Sequence, residues 1–237
     1  MLRCLCFFAA VFSVRSASAP FITPCKQGDA ACLKSSAQAA LPIIAPGIPE
    51  LGIKPLDPLR LDLVKGDQGG LQLSFRDTVL TGMKGCTVEN VKHDLTKGKS
   101  LVVIKCSVNL QGNYKLGGQL LILPIQGEGK YTINIQDIVI KTYSDITTVE
   151  GADSKPHWHI TDWRNSYQVK TGTQFQFDNL FNGNKVLAVP VHDFVNNNWR
   201  EVMQEIAGPI VRAIVAAVVD DVEALYKAVP AEELFIA

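Results

Sequence analysis

The feature that most constrains this chain is a long apolar segment near its C-terminus, from Val195 to Val229. Within it, residues 206–219 read IAGPIVRAIVAAVV, and Arg212 is the one charged residue of that run. At about 1.5 Å per residue, roughly 35 residues predict a helix about 50 Å long. A surface helix carries one apolar stripe, whereas this segment is apolar around most of its circumference. We therefore expect it to be buried on most sides.

A membrane-spanning helix is the alternative explanation for such a run. A spanning helix needs about 20 mostly apolar residues, whereas here Pro209, Arg212 and Asp220 leave only short uncharged stretches. We therefore expect no stable membrane insertion. Because much of the remaining chain alternates between apolar and polar residues like β-strands, the simplest way to bury the helix is to wrap a sheet around it. The sequence thus predicts an α+β fold, a long C-terminal helix wrapped by a highly curved antiparallel β-sheet.

The alternation predicts individual strands. Three clear ones cover residues 71–75, 102–110 and 131–140, and the last slips phase near Asp137, which indicates a bulge. Further strands are expected at 120–125, 157–163, 167–171 and 173–177, with glycines 112, 117, 118, 127, 129 and 172 as turns or bends. A helix is expected at about Ala30–Ala40. The proline-rich run from Leu41 to Pro58 is expected to be extended rather than helical, and to pack on the domain.

Both ends of the helical region carry further signals. Residues 179–184 (NLFNGN) are expected to turn into it, Pro190 restricts where the helix begins, and Gly208-Pro209 should kink it. After Pro230 we expect a short helix that favours Glu232 and Glu233 in its first turn. The last apolar residues, 234–236, are then free to cover an apolar opening.

The N-terminus has the organisation of a secretory signal. Arg3 supplies the charged region, residues 4–14 the apolar region, and Ala17-Ser18-Ala19 the small residues. Cleavage after Ser16 and cleavage after Ala19 both remain open, because Pro20 would follow the second cut. We expect residues 1–19 to be a signal peptide, residues 20–237 to form a single domain, and the mature protein to be secreted and extracellular.

Four of the six cysteines remain after such cleavage, an even number in an oxidising compartment. Cys25 and Cys32 are close enough to bridge the N-terminal tail to the start of a helix. Cys86 and Cys106 flank a hairpin with its turn at residues 96–99, so they lie almost opposite one another and should form the second bridge. A four-cysteine metal site is disfavoured because paired C-x-x-C spacing is missing.

Four segments in order along the mature chain together resemble the takeout/juvenile-hormone-binding protein family of insects. They are C-x6-C followed by LPIIAPGIPELGIKPLDPLRLD, then GGQLLILPIQGEGKY, FDNLFNGNK and FVNNNWREVMQEIAGPI. The resemblance implies a fold of the tubular lipid-binding type with an elongated apolar cavity. It also implies a secreted carrier of juvenile hormone, fatty-acid-like or other lipids in fluids such as haemolymph, with links to circadian, feeding and courtship behaviour. The Cys25–Cys32 bridge matches the family's N-terminal bridge.

No catalytic motif is found in the sequence, and no nucleophile elbow, P-loop or zinc-protease signature is present. The strongest constellation is His157, His159 and Asp162. On a strand the two histidines share one face and Asp162 falls on the other. We interpret this segment as a strand whose histidines face solvent, so we expect no catalytic residue, metal or cofactor.

Other polar residues have simple structural interpretations. We expect Asp57 and Arg60 to form an ion pair that fixes the proline-rich crossing, and His93 to lie on the surface. His192 and Asp193 are expected to form a capping or polar-face pair. Phe194 and Trp199 could stack on a ligand, but aromatic core packing is the favoured interpretation.

The primary hypothesis is a carrier that binds a hydrophobic small molecule in an internal cavity and is a monomer with an unknown receptor. The net charge is zero and no basic patch stands out, which argues against nucleic acid. The alternatives are a signalling or interaction protein that acts through its surface, and a secreted hydrolase. Candidate polar donors are Tyr131, Ser107 and Tyr114. The candidate cavity residues are Phe75, Val102, Ile104, Tyr131, Phe175, Phe177, Trp199, Ile210, Ala213, Ile214 and Ala217.

A stripe of small residues on the long helix motivates two of these candidates, Ala213 and Ala217. At 100° per residue, Ala213, Ala217 and Ala224 fall on one line. The stripe could leave space for ligand, let a strand approach closely, or face solvent. We favour the first interpretation, because native cores otherwise fill such space.

Overall fold

Three antiparallel strands of 22, 28 and 22 residues form most of the sheet. The computed structural model describes residues 18–68 and 70–236, so most of the expected signal peptide lies outside the described residues. In chain order the elements are β1 (Cys25–Lys26), α1 (Ala30–Ile44), β2 (Leu59–Gln68), β3 (Leu71–Thr81), β4 (Thr87–Asp94), β5 (Lys99–Leu120), β6 (Leu123–Glu150), β7 (Pro156–Phe177), α2 (Lys185–Asn197), α3 (Trp199–Ala228), α4 (Ala231–Leu234) and β8 (Phe235–Ile236).

The sheet curls until its two edges reach the same helix. Its strand order is β2-β3-β5-β6-β7, and every neighbouring pair is antiparallel. β4 pairs with the first part of β5, and β3 pairs with the later part along the same edge. α3 contacts both β2 and β7, which are the two ends of that strand order. A flat sheet could not make both contacts, so the predicted architecture of a helix wrapped by a curved sheet is confirmed.

The long strands run through the glycines that were expected to form turns or bends, so the assignment of these glycines to turns is wrong. β5 continues through Gly112, and β6 continues through Gly127. At Gly127 a Cβ atom would lie 2.7 Å from the Tyr114 hydroxyl, so this glycine permits close packing rather than a turn. The true turn lies at residues 121–122, inside the segment 120–125 that we expected to be a strand.

Other strand predictions differ in extent. The three short strands expected between residues 157 and 177 are one strand, β7. β2 was missed, although LRLDLV alternates apolar and polar residues at its start. The predicted bulge is confirmed, because the register of β6 against β7 shifts between Gln136 and Ile138 and Asp137 has φ 51°.

Three helix boundaries also differ from expectation. α1 begins as predicted, where the Asp29 side chain accepts a hydrogen bond from the Cys32 N–H at 2.9 Å, but it continues through Pro42 to Ile44. Pro42 is tolerated because it removes only one N–H close to the end of the helix, and Ala45 N–H still donates to the Leu41 carbonyl at 2.9 Å. α2 also contains a proline, Pro190, within the helix. The single long helix that was expected is two helices, α2 and α3, separated at Asn198.

α3 lies in the interior of the curled sheet. By length and composition it could cross a bilayer, a property that the core helix of a soluble domain shares. Its buried side chains, including Val202, Ile206 and Ile210, pack in the main core against the inner face of the sheet. The burial of this apolar helix is therefore achieved inside the protein.

Both disulfides and the C-terminal tail are organised as expected. Cys25 bridges Cys32 with a Cα–Cα distance of 5.7 Å, and Cys86 bridges Cys106 at 4.4 Å. The turn of the β4–β5 hairpin lies at residues 95–98, and Cys106 is buried. After Pro230 the chain forms α4, and β8 then pairs in parallel with β1.

Candidate functional site

A cavity of about 270 Å³ lies where three separate apolar clusters of the interior meet. One wall is α1, which contributes small side chains together with larger ones, namely Ser36, Ala37, Ala40, Leu33, Leu41 and Ile44. β4 and β5 form a second wall with Val88, Val91, Val102 and Ile104, and α3 forms a third with Val218, Val222 and Leu225. Leu234 of the C-terminal tail also lines the cavity, whereas Ile236 is exposed.

The cavity is apolar except at a few positions. Apart from Tyr226, the polar side chains that line it are Thr23, Ser36, His93 and Asp221. The Ser36 hydroxyl donates to the Thr23 carbonyl and accepts from the Thr23 N–H, both at 2.9 Å. Ser36 therefore joins the N-terminal segment to α1. Its hydroxyl already has protein partners in both roles.

Asp221 and His93 each carry an atom without a partner. Asp221 is buried, and its Oδ1 accepts a hydrogen bond from the Lys54 N–H at 3.0 Å, but its Oδ2 has no hydrogen bond. The Nδ1 atom of His93 is likewise buried and unpartnered. Burial raises the pKa of the Asp221 carboxyl and lowers the pKa of the His93 imidazole, because an apolar environment disfavours the charged forms. The expectation that His93 is a surface residue is wrong.

The cavity has a narrow continuation along α3. This second hollow, of about 50 Å³, lies between the long helix and the inner face of β5 and β6. It shares Met83, Ile104 and Val218 with the larger cavity and ends among residues such as Ile210, Ile135 and Leu110. The two hollows therefore follow one another along the helix axis, with apolar side chains between them.

The structure places the predicted cavity residues in several separate locations. Val102 and Ile104 line the main cavity, and Ile210 and Ile214 line its continuation. Ala213 and Ala217 are partly buried against the main core and line neither hollow. Trp199 lies at a polar cleft outside the curled sheet, and the Arg200 guanidinium stacks over its ring. Ligand contact at all of these positions stays a prediction.

The remaining candidates fill the other half of the core. Phe75 packs on Tyr131 with ring centroids 4.7 Å apart, and Phe175 and Phe177 are stacked at 6.3 Å. The proposed polar donors have partners within the protein. Their hydrogen bonds join the Tyr131 hydroxyl to Thr78 at 2.7 Å, the Tyr114 hydroxyl to the Asp178 carbonyl at 2.7 Å, and Ser107 Oγ to the Asp137 N–H at 3.1 Å.

The expectation of two solvent-facing histidines on β7 is half wrong. His159 is exposed and contacts Glu223 at 2.6 Å. His157 is buried, with its Nδ1 2.9 Å from the Tyr226 carbonyl and its Nε2 3.1 Å from Asp153. The end of α3 and the turn before β7 cover this strand start, so the face that alternation assigned to solvent is enclosed. Within the described residues, 18–68 and 70–236, no cluster of three or more histidine, cysteine or acidic side chains has the geometry of a metal site.

The prediction that Asp57 and Arg60 form an ion pair is wrong. The Asp57 carboxylate instead accepts backbone hydrogen bonds from Gly82 at 3.2 Å and from Lys84 at 2.8 Å. It therefore fixes the turn between β3 and β4, beside Met83 of the cavity wall. His192 connects α2 to β7, because its Nε2 accepts a hydrogen bond from the Phe177 N–H at 3.2 Å.

The residues that line the cavity but were not predicted from the sequence include Ala37, Ala40, Val91, His93 and Asp221. A signal for Asp221 was present, because it follows Ile214 by seven residues and Val218 by three, and precedes Leu225 by four. Those intervals place it on the apolar face of α3. For α1 no comparable signal existed, since the wall it forms depends on how the helix packs across the open end of the sheet.

Comparisons with known proteins agree on one family. Residues 2–236 match the family "Haemolymph juvenile hormone binding protein (JHBP)". The crystal structure of Takeout 1 from Epiphyas postvittana superposes with a TM-score of 0.88 and 32% identity, covering 91% of this chain and 100% of that one. The circadian clock-controlled protein daywake of Drosophila melanogaster is 29% identical over 223 residues, 89% of this chain and 85% of its own. The juvenile hormone-binding protein of Manduca sexta is 29% identical over 127 residues, 48% of this chain and 56% of its own. This chain therefore belongs to the haemolymph juvenile hormone binding protein family.

Proposed function

We propose that this protein is a carrier that holds a hydrophobic small molecule in the cavity between α1, the β4–β5 hairpin and α3. The observation that carries the proposal is the cavity itself, about 270 Å³ of space with almost entirely apolar walls. Native interiors are otherwise close-packed and contain few voids larger than a water molecule. An apolar cavity of this size binds no water network and favours an apolar occupant.

The binding energy comes from burial. Each methylene group removed from water contributes about 0.8 kcal/mol, so a ligand of modest length gains several kcal/mol before the costs of association. Candidate ligands are juvenile hormone and fatty-acid-like or other lipids. The Manduca sexta relative is named as a juvenile hormone-binding protein. Since aliphatic walls discriminate weakly between chains of similar width, the polar positions of the cavity must contribute much of any selectivity.

The setting of this function is also part of the proposal. The secretory signal supports release into an extracellular fluid, where a hydrophobic molecule needs a soluble carrier, and we propose that the carrier is monomeric. The similarity to daywake, a circadian clock-controlled protein, supports a link to circadian physiology, and a role in feeding or behaviour is a further part of the proposal. Measuring the amount of the protein through a day in constant conditions tests that link.

Mass spectrometry of an organic extract tests the carrier function. Protein purified from its native fluid should release a lipid in near-stoichiometric amount, and the delipidated protein should bind an apolar fluorescent probe that the extract displaces. Protein that carries no lipid and binds no probe would contradict the proposal. That outcome would favour a protein that acts through its surface.

A further inference from the structure

Two side chains that line the cavity, His93 and Asp221, each carry a buried polar atom without a hydrogen-bond partner. His93 stands on β4 and Asp221 stands on α3, so they come from different walls. His93 Nδ1 and Asp221 Oδ2 account for two of the three buried side-chain nitrogen and oxygen atoms that lack a hydrogen bond in residues 18–68 and 70–236. Buried polar groups in native proteins are almost always paired, and an unpaired one calls for an explanation.

The two side chains are held in place by the protein. Asp221 is 4% exposed, and its other oxygen is fixed by the Lys54 N–H at 3.0 Å. The His93 ring lies 6.0 Å from the Trp158 ring, which packs edge-on against Tyr226 at 5.3 Å. Both side chains therefore line the cavity within an ordered framework, and their free atoms are buried.

Building on the proposed carrier function, we propose that His93 and Asp221 are the polar anchors of the cavity and select an apolar ligand whose polar group is a hydroxyl. A neutral imidazole offers Nδ1 as a donor in one tautomer and as an acceptor in the other. A carboxyl oxygen accepts when ionised and can donate when protonated. A hydroxyl has one hydrogen to donate and two lone pairs with which to accept, so it pairs with both atoms whenever at least one of them is a donor.

A carboxylate fits the same place poorly. Repulsion from an ionised Asp221 disfavours it, and no lysine or arginine is among the residues that line the cavity. The backbone N–H of Lys54 donates a hydrogen bond to Asp221, but Lys54 is an exposed residue and does not line the cavity. The anchors thus separate long-chain alcohols from fatty acids, which the aliphatic walls alone cannot do.

Competition binding with matched ligands tests this selectivity. Delipidated protein is loaded with diphenylhexatriene, a hydrocarbon probe without hydrogen-bonding groups, which is then displaced by decanol or by decanoate at neutral pH. In the wild-type protein decanol should bind at least about tenfold more tightly than decanoate. His93→Phe should weaken the affinity for decanol, relative to that for diphenylhexatriene, about three- to tenfold, the range for one lost hydrogen bond. His159→Phe, which changes an exposed histidine outside the cavity, should alter neither the affinity for decanol nor that for diphenylhexatriene.

Asp221→Asn tests the charge. It keeps an oxygen for the Lys54 N–H and removes the repulsion, so decanoate should gain several-fold relative to decanol. If this variant does not fold, the wild-type preference and the His93→Phe result decide the question.

Equal binding of decanol and decanoate by the wild-type protein would overturn the inference. An unchanged decanol affinity relative to that for diphenylhexatriene in His93→Phe would also overturn it and would assign the free atoms to bound water, and either result would leave the carrier function standing. Failure of the wild-type protein to bind diphenylhexatriene or either decyl ligand would instead overturn the carrier function, and the inference with it.

Discussion

Substitution of Ala37 by tryptophan should fill the cavity from the wall formed by α1. Ala37 is partly buried, and its side chain lines the cavity. A cavity of about 150 Å³ holds benzene, and an indole ring is larger than benzene. Tryptophan at this position should therefore occupy more than half of the 270 Å³ that is open in the wild-type protein.

The cost to binding follows from the volume lost. If the indole excludes about four methylene groups of a ligand, at about 0.8 kcal/mol each, binding weakens by about 3 kcal/mol, or roughly 100-fold. The effect on folding should be small, because the ring enters space that is empty. In a filled core the same insertion would destabilise by about 1–3 kcal/mol.

Ala39→Trp is the matched control. Ala39 lies two residues further along the same helix, is exposed, and does not line the cavity. Diphenylhexatriene titration should show the loss of affinity for Ala37→Trp alone, and thermal unfolding of the apo proteins should show both variants folded. A folded Ala37→Trp protein with wild-type affinity would refute the assignment of this cavity as the ligand site.

Four further predictions follow from named contacts. Replacing Cys86 and Cys106 together by serine should lower the free energy of unfolding by about 3 kcal/mol, the value expected for a loop of this length, as measured by denaturant titration. His157→Phe should destabilise by about 1–3 kcal/mol, because it leaves the buried Tyr226 carbonyl without this partner; a change below about 0.5 kcal/mol would contradict the structural role. Since burial raises the pKa of Asp221 above its ordinary value of 3.8, the folded state holds its proton more tightly and ionisation destabilises the fold. Asp221→Asn should therefore be more stable than the wild-type protein near neutral pH, and this advantage should disappear as the pH falls toward 3.8 in pH-dependent thermal unfolding. Finally, N-terminal sequencing of the secreted protein should begin at Ala17, because Ala19 is buried in the cluster around Val229 and cleavage after Ala19 would remove it.

The architecture could be predicted from the sequence because it depends on strong, local patterns. A helix that is apolar around its circumference must be enclosed, and alternating segments can form the sheet that encloses it. The Cys86–Cys106 bridge followed from hairpin geometry in the same way. Strand lengths could not be predicted, because Gly112 and Gly127 act through contacts with residues distant in sequence rather than as turns.

The lining of the cavity was predicted less well, for a physical reason. Alternation shows which residues point inward, but it does not show whether the inward space is filled. Phe75 and Val102 both point inward, yet Phe75 packs on Tyr131 whereas Val102 borders the cavity. His93 was assigned to the surface because a polar residue in a hairpin usually is exposed, and that rule fails where α1 packs against β4.

The two halves of the interior differ in the size of their side chains, and this difference places the cavity. In one half, aromatic rings meet under the closed sheet, as where Tyr114 packs edge-on against Phe177 at 4.9 Å, and the space is filled. In the other half the wall is α1, whose inward side chains include Ala37 and Ala40. The small residues that border the cavity therefore lie on α1, and not in the stripe that the sequence pattern placed on α3. Because a helix with alanines on its inner face leaves space that a strand with aromatic residues would fill, enlarging those alanines should abolish ligand binding without disturbing the aromatic half of the core.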